Sequence, residues 1–212
     1  MPVFGKGRVG RAVKKNADSD PFETQLTRGE RSKRKYSKRF GYGIRDSTLS
    51  EVEREFWYSL RRLIMKTHIR TKQPVVVLDW GCGTGRAITE LAQIFPFVKA
   101  YGISQDSYTQ WKKNDKVKFI QEDAENSLRY FRDKGVDVIF SKMALYHLWS
   151  SGLMEEYLKK LCNKLKIDGI LLMENNERYN ALMDKMKYAG YSTKIITTEL
   201  GTKRAIMITR TR

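Results

Sequence analysis

The sequence predicts an α/β domain with a doubly wound, mostly parallel sheet of seven strands, preceded by a basic extension and closed by an antiparallel hairpin. Three observations lead to this prediction. Short runs of apolar, often β-branched residues alternate with amphipathic segments of helical period. Several of these runs have no polar interruption, which is typical of parallel strands covered on both faces. A glycine-rich turn joins the first run to the segment after it. We assign residues 1–45 to the extension and residues 46–212 to the domain.

The composition of the 212-residue chain favours a cytoplasmic protein with an anionic partner. The net charge is +17, and the sequence has no run of eighteen apolar residues that would span a membrane. Cys82 and Cys162 are the two cysteines of the chain, too few for a disulfide framework or a cysteine-based metal cluster. A reducing cytoplasm fits this cysteine content, and we predict no metal site. We interpret Cys82 as a small loop residue rather than a nucleophile.

The positive charge is concentrated in residues 1–45, which carry thirteen Lys and Arg residues against four Asp and Glu residues. It is densest over residues 28–39, where Tyr36 lies, and Phe40 and Tyr42 follow beside glycines. Basic side chains neutralise phosphates and aromatic rings stack on unpaired bases, so this segment predicts contact with RNA. The alternative is a solvated tail that only aids solubility.

Residues 48–67 are predicted to form the first helix of the domain. Apolar residues recur there at helical spacing, with charged residues between them. Ser50 and Glu53 have the S-x-x-E spacing of a capping box, in which each side chain satisfies a backbone N–H group of the first turn. This helix is expected to pack one face on the core.

The first strand, residues 75–78, ends in Asp79 and leads into a turn that contains Gly81, Gly83 and Gly85. Glycine has no Cβ, so the backbone can turn tightly and approach a ligand closely. The helix after the turn points its first N–H groups into the same space. A dinucleotide fingerprint is G-x-G-x-x-G, whereas the third glycine here comes one residue early. The turn therefore predicts a nucleotide ligand, with a ligand-free tight turn as the alternative.

This G-x-G-x-G turn, with an acid two residues before its first glycine, resembles motif I of the class I S-adenosylmethionine-dependent methyltransferases. The resemblance extends, with lower specificity, over residues 75–212. It implies that S-adenosylmethionine is the cofactor. It also implies that Asp79 and the three glycines form part of the cofactor site.

The resemblance further implies where the ribose of the cofactor binds. In the family, the second strand usually ends in an acid that accepts hydrogen bonds from both ribose hydroxyl groups. Ser104 occupies that position here, directly after the strand predicted at residues 98–103. A serine hydroxyl accepts one such bond, and Gln105, Asp106 or Gln110 would supply another.

The adenine is implied to bind after the third strand, which is predicted at residues 117–121. There Asp123 matches the acid that accepts a hydrogen bond from the adenine amino group in the family. Ala124 matches the small residue whose backbone N–H group meets a ring nitrogen.

Residues 136–141 form the fourth predicted strand, and ligands of open parallel sheets bind beyond the carboxyl ends of the strands. We therefore place Ser141 among the cofactor-binding residues, and Lys142 and His147 among the catalytic candidates. His147 has an unperturbed pKa near neutrality and is a candidate general base, or else it lines the cleft without taking a proton. Lys142 would orient an anionic substrate, or cover the sheet edge with its aliphatic stem.

The remaining segments complete the predicted sheet. Residues 170–174 form a fifth strand, and residues 178–189 form a helix that Gly190 ends. Residues 193–198 and 204–209 form two strands on either side of a glycine turn, which predicts an antiparallel hairpin.

These features together predict an S-adenosylmethionine-dependent methyltransferase, with RNA as the first acceptor because of the basic segment. The stretch after the fourth strand lacks the N/D-P-P-Y/W/F tetrad of family members that methylate base amines. That departure favours a small-molecule or lipid acceptor instead. The alternative from another class is a non-catalytic nucleic-acid-binding protein that retains the fold. In either enzyme, holding the acceptor in line with the methyl group would supply most of the catalysis.

Overall fold

A single sheet organises the protein, whose computed structural model describes residues 46–145, 148 and 153–211. Within these residues seven strands pair in the order β3-β2-β1-β4-β5-β7-β6. The strands are β1 (Val75–Trp80), β2 (Val98–Ser104), β3 (Val117–Gln121), β4 (Val136–Ser141), β5 (Leu165–Glu174), β6 (Tyr191–Thr197) and β7 (Lys203–Arg210). The helices are α1 (Leu49–Phe56), α2 (Leu60–Thr71), α3 (Arg86–Ile94), α4 (Ala124–Ser127), α5 (Met154–Lys164) and α6 (Asn180–Tyr188).

The strand directions confirm the predicted fold class. Strands β1 to β5 pair with one another in parallel, while β7 runs antiparallel to both β5 and β6. The predicted C-terminal hairpin is therefore present. The strand order changes direction between β1 and β4, and ligands of such sheets bind beyond the carboxyl ends of the strands at that point.

Both faces of the sheet are covered, which explains the uninterrupted apolar runs. Leu78 and Trp80 of β1 belong to one buried cluster, and Val75 and Val77 belong to another. Because side chains alternate along a strand, these two clusters lie on opposite faces of the sheet. All six residues of β4 are buried, as expected for a central strand of a doubly wound fold.

The helix predicted at residues 48–67 is instead two helices. The first helix, α1, ends at Phe56, and the next residue, Trp57, has a left-handed backbone with φ +52°. The capping box that we assigned to Ser50 and Glu53 was wrong, since Thr48 and Glu51 form it two residues earlier. The Thr48 Oγ1 atom accepts from the Glu51 N–H group at 3.2 Å, and Glu51 Oε2 accepts from the Thr48 N–H group at 2.8 Å.

Glu53 holds the beginning of the second helix. Its Oε1 atom accepts hydrogen bonds from the Arg61 backbone N–H group at 2.9 Å and from the Ser59 hydroxyl at 3.1 Å. Its Oε2 atom forms an ion pair with the Arg61 guanidinium at 2.6 Å. Because both oxygens of Glu53 bond to the start of α2, this side chain does not cap α1, and the capping box forms at Thr48 and Glu51 instead.

A buried carboxylate joins three strands at the amino edge of the sheet. Asp137 is 4% exposed, and its Oδ2 atom accepts from the Val76 N–H group at 2.8 Å and from the Lys166 ammonium at 2.7 Å. The register between β4 and β5 shifts at this residue. The fifth strand therefore begins at Leu165, before the stretch predicted from the sequence. Asp137 thus supplies an acceptor for a backbone N–H group of β1 and a counter-charge for Lys166 of β5.

The described residues contain no helix that is both long and apolar enough to cross a membrane. They also contain no group of three or more His, Cys, Asp or Glu side chains arranged to hold a metal ion.

We expect Asp137→Ala to lower the free energy of unfolding by about 1–3 kcal/mol, because the partly buried Val76 N–H group loses its acceptor. Lys166 reaches solvent and adds little to this cost. Asp137→Asn should cost less, since an amide oxygen still accepts from the N–H group. Urea unfolding measures both variants. The control is Asp133→Ala, which removes an exposed ion pair with Lys164. A cost for Asp137→Ala no larger than for the control contradicts this role.

Candidate functional site

The glycine turn folds back over the carboxyl end of β2. The N–H groups of Gly81 and Cys82 both donate to the Ile103 carbonyl, at 2.9 and 2.8 Å. Gly81, Gly83 and Gly85 have φ values of +88°, +55° and +79°. All three lie in the left-handed region, where residues with a Cβ are strained. We call residues 81–85 the glycine loop.

Two of these glycines are also required by close packing. A Cβ added to Gly81 would overlap the Cβ of Ala144, and one added to Gly85 would overlap the ring of Phe119. The ring of Phe119 is itself stacked on Trp111, with centroids 4.8 Å apart. Gly81 and Gly85 are thus needed for packing whether or not a ligand binds. This need is what the alternative interpretation, a ligand-free tight turn, predicts.

The amino end of α3 presents polar groups at the same place. Gly85 is the residue before the first turn, and no side chain of the described residues caps the helix. The first N–H groups of an α-helix lack partners within the helix and carry partial positive charge. This end can therefore donate hydrogen bonds to a ligand that lies over the glycine loop.

Asp79 lies just below the glycine loop and is 5% exposed. Burial raises the pKa of Asp79 to about 8, although the nearby Lys142 ammonium opposes the shift. Burial also raises the pKa of the Cys82 thiol well above its usual value. Cys82 is therefore a neutral thiol at physiological pH, consistent with a small loop residue and not with a nucleophile.

Lys142 is held by the amino-terminal part of the domain. Its ammonium lies 2.9 Å from Glu55 Oε1 and donates to the Ser47 hydroxyl at 2.8 Å. The Lys142 side chain is 11% exposed. The structure thus brings Lys142 close to Asp79, with its charge already paired to Glu55.

Residues 46–48 lie against the glycine loop, a feature that the sequence analysis missed. Asp46 Oδ1 accepts from the Thr84 hydroxyl at 2.6 Å. Glu90 Oε2 of α3 accepts from the Leu49 N–H group at 2.8 Å. These contacts join positions about forty residues apart, and the local sequence pattern carries no signal for them.

The residues implied for ribose and adenine lie side by side at the ends of β2 and β3. Ser104 pairs with Gln121 in the sheet, and its carbonyl accepts from the Glu122 N–H group at 3.0 Å. Among the described residues, the Ser104 hydroxyl accepts one long hydrogen bond, of 3.4 Å, from the Asp106 N–H group. The hydroxyl therefore retains capacity to bind a ligand, and its assignment to the ribose stays a prediction.

Asp123 caps the short helix α4, which begins at Ala124. Its carboxylate accepts from the Asn126 N–H group at 2.8 Å and from the Asn126 side-chain amide at 3.2 Å. A carboxylate offers about four acceptor positions, so the cap does not exclude a bond to adenine. The adenine assignment of Asp123 and Ala124 also stays a prediction.

The remaining site candidates are Ser141 and His147. Ser141 ends β4 and is fully buried, and its hydroxyl has no hydrogen-bond partner in the described part of the chain. Its assignment to the cofactor site stays a prediction. His147 falls outside the described residues, as do the basic segment 28–39 and its neighbouring aromatic residues.

The comparison with protein families identifies the domain. Residues 71–203, more than half of the chain, match the family described as "Methyltransferase domain". Two curated relatives match at lower coverage. The malonyl-[acyl-carrier protein] O-methyltransferase of Bacillus cereus is 27% identical over 138 residues, which cover 64% of this chain and 50% of that protein. The malonyl-[acyl-carrier protein] O-methyltransferase 2 of Coxiella burnetii is 29% identical over 127 residues, which cover 58% of this chain and 48% of that protein. The chain spans about half the length of these relatives.

Solved structures share the fold at low identity. A plantazolicin methyltransferase in complex with SAH has a TM-score of 0.60 and 15% identity, covering 87% of this chain and 92% of that one. The 1,6-didemethyltoxoflavin-N1-methyltransferase of Burkholderia thailandensis, with bound S-adenosylhomocysteine, has a TM-score of 0.54 and 16% identity, covering 93% of each chain. At these identities the similarity establishes the fold alone.

We expect the free energy of unfolding of Asp79→Asn to exceed that of the natural protein by a margin that grows as the pH rises from about 4 to about 8. In the folded state Asp79 keeps its proton up to about pH 8, whereas in the unfolded chain it ionises near 3.9. Between these values the folded state binds more protons, so its stability falls as pH rises, by up to about 1.4 kcal/mol per pH unit. Asparagine does not titrate and removes this loss.

Urea unfolding of both proteins at pH 5, 6.5 and 8 measures the effect. The matched control is Asp115→Asn, because Asp115 is exposed. Its offset from the natural protein should not change with pH. Parallel pH profiles for Asp79→Asn and the natural protein contradict the burial argument.

Proposed function

This chain belongs to the methyltransferase domain family, within the class I S-adenosylmethionine-dependent methyltransferases, and we propose that it methylates a carboxylate oxygen of a small acyl group. The carboxylate would be free in solution or carried on an acyl-carrier protein. The curated relatives that match this chain act on malonyl-[acyl-carrier protein]. This substrate class is a proposal, because the chain spans half of their length.

The observation that carries the cofactor part of the proposal is the geometry of the glycine loop. Three left-handed glycines turn the backbone tightly above the end of β1, and the amino end of α3, which no side chain of the described residues caps, leaves backbone N–H groups there. Asp79 adds a buried carboxyl group directly beneath. These groups fit S-adenosylmethionine, whose methionine end carries both an ammonium and a carboxylate group. When bound, it supplies a methyl group activated by a sulfonium.

The chain's own residues would act mainly by binding and orientation. The positive charge of the cofactor would lower the pKa of Asp79 and pair with its ionised carboxylate. The end of α3 would meet polar oxygen atoms. Ser104 and Asp123 would hold the ribose and the adenine. Lys142 already pairs with Glu55, so we assign it to holding the amino-terminal segment in place rather than to receiving an anionic acceptor.

A carboxylate acceptor makes a general base unnecessary. Carboxylic acids are ionised at neutral pH, so the attacking oxygen carries no proton that a histidine would have to remove. His147 would then line the site without taking a proton. The reacting groups bear opposite charges that cancel during transfer, and a site that excludes water favours this cancellation.

RNA remains the alternative acceptor on sequence grounds only. The basic residues 28–39 are its sole support, and they fall outside the described residues. The comparisons do not add support for RNA. A strongly basic chain also attracts an acidic carrier protein, so the charge of +17 does not distinguish these partners.

We expect Gly83→Val to weaken binding of S-adenosylmethionine at least about tenfold, because a branched side chain would occupy the ligand side of the glycine loop. Isothermal titration calorimetry measures this. The control is Gly201→Val, since Gly201 has φ +78° and open space around a Cβ. Both variants bear similar backbone strain, but the control should bind normally. Equal affinity in the two folded variants contradicts the cofactor site.

The acceptor class can be measured with the full chain and radiolabelled S-adenosylmethionine. We expect label in a base-labile ester on malonyl-acyl-carrier protein or on malonyl-CoA. Acetyl-acyl-carrier protein is the matched control, because it lacks the free carboxylate and should remain unlabelled. Label in total RNA at physiological salt, with none in the malonyl compounds, contradicts the proposal and favours the RNA alternative.

A further inference from the structure

Met143 has an unusual backbone at the carboxyl end of β4. Its φ is +67°, in the left-handed region that glycine adopts freely and that Asn and Asp adopt more often than other residues. A methionine there is strained, because its Cβ crowds the neighbouring carbonyl oxygen. Such strain persists only where surrounding contacts hold the residue.

Glu174 supplies the holding contact. It is the last residue of β5, the strand next to β4 in the sheet. Ser141 pairs with Met173, so Glu174 reaches just beyond the end of β4. There its Oε2 atom accepts from the Met143 N–H group at 3.0 Å, in a partly buried environment. A hydrogen bond from a backbone N–H group to a carboxylate is stronger than one to a neutral acceptor.

The turn at Met143 places its neighbours against different parts of the site. Lys142, before it, bonds to Ser47 and Glu55 of the amino-terminal segment. Ala144, after it, lies so close to Gly81 that a Cβ on that glycine would overlap it. The turn is therefore the place where the end of β4 contacts the glycine loop.

We propose that Glu174 is a positioning residue for the cofactor site: its carboxylate holds the left-handed turn at Met143, which seats Ala144 against Gly81 of the glycine loop. The inference rests on the proposed function, since it concerns the same cofactor site. It assigns to Glu174 no contact with the reacting atoms. A turn fixed in this way keeps the glycine loop in its binding conformation before the ligand arrives.

The test measures the affinity of four full-length variants for S-adenosylhomocysteine by calorimetry. Glu174→Ala removes the acceptor, and its dissociation constant should rise about tenfold, as for the loss of one charge-assisted hydrogen bond. Glu174→Gln keeps an oxygen acceptor and should stay within about threefold of the natural protein. Glu199→Ala, at an exposed turn, is the control for removing a glutamate and should not change the affinity.

The decisive variant is Glu174→Ala combined with Met143→Gly. Glycine adopts the left-handed conformation without strain, so the turn should form without the carboxylate and the affinity should return to within about threefold of the natural value. A carboxylate that acted only through its charge, or only through packing of β5, would not be replaced in this way.

Hydrogen exchange of the Met143 amide gives a second measurement that needs no ligand. The amide should exchange faster in Glu174→Ala than in the natural protein, and the rate in Glu174→Gln should be close to the natural one.

Three results overturn the inference: unchanged affinity in Glu174→Ala, equal losses in the Ala and Gln variants, or no rescue by Met143→Gly. If Glu174→Ala does not fold, the Gln and double variants carry the test, and a tenfold loss in either contradicts the inference. A natural protein that binds S-adenosylhomocysteine but methylates none of the tested acceptors refutes only the acceptor proposal. No binding at all refutes the cofactor site itself.

Discussion

The tight backbone turn between β1 and α3 is the constraint on which the carboxyl edge of this sheet depends. Its glycines bring the backbone against Ala144 on one side and the ring of Phe119 on the other. Side chains at Gly81 and Gly85 would overlap those neighbours and push them away. One feature therefore serves two purposes, because the lack of side chains allows dense packing around the loop and lets the chain turn directly into α3, whose first N–H groups lack partners within the helix.

Two buried carboxyl groups, at opposite edges of the sheet, differ in their hydrogen-bond partners. At the amino edge of the sheet, Asp137 is fully engaged with Val76 and Lys166 and contributes to the structure. At the carboxyl edge, Asp79 is equally buried, but no hydrogen bond to its side chain occurs among the described residues, and burial raises its pKa to about 8. A buried carboxyl group without compensation costs stability. Such a cost is typical of functional sites, where a ligand supplies the missing partner.

The candidate site is assembled from distant parts of the chain. Residues 46–48 lie against the glycine loop, Lys142 joins them to the end of β4, and Glu174 joins β4 to β5. Each contact is short and involves a charged group. The loops of the candidate site are consequently held by neighbours that need not contact a ligand, and preorganisation of this kind reduces the entropy lost on binding.

The sequence by itself determined the parallel sheet, the glycine loop and the closing hairpin, because each depends on local pattern: apolar runs, glycine spacing and strand alternation. It also located Asp79, Ser104 and Asp123 at strand ends, since strand ends follow from those runs. Only the tertiary structure decided which capping box forms before α1, because Thr48 and Ser50 have the same spacing to a glutamate and Glu53 is taken by Arg61. Likewise, the pairing of Lys142 with Glu55, the burial of Ser141 and the turn held by Glu174 required folding. These contacts join residues far apart in sequence, whose meeting depends on how whole strands and helices pack.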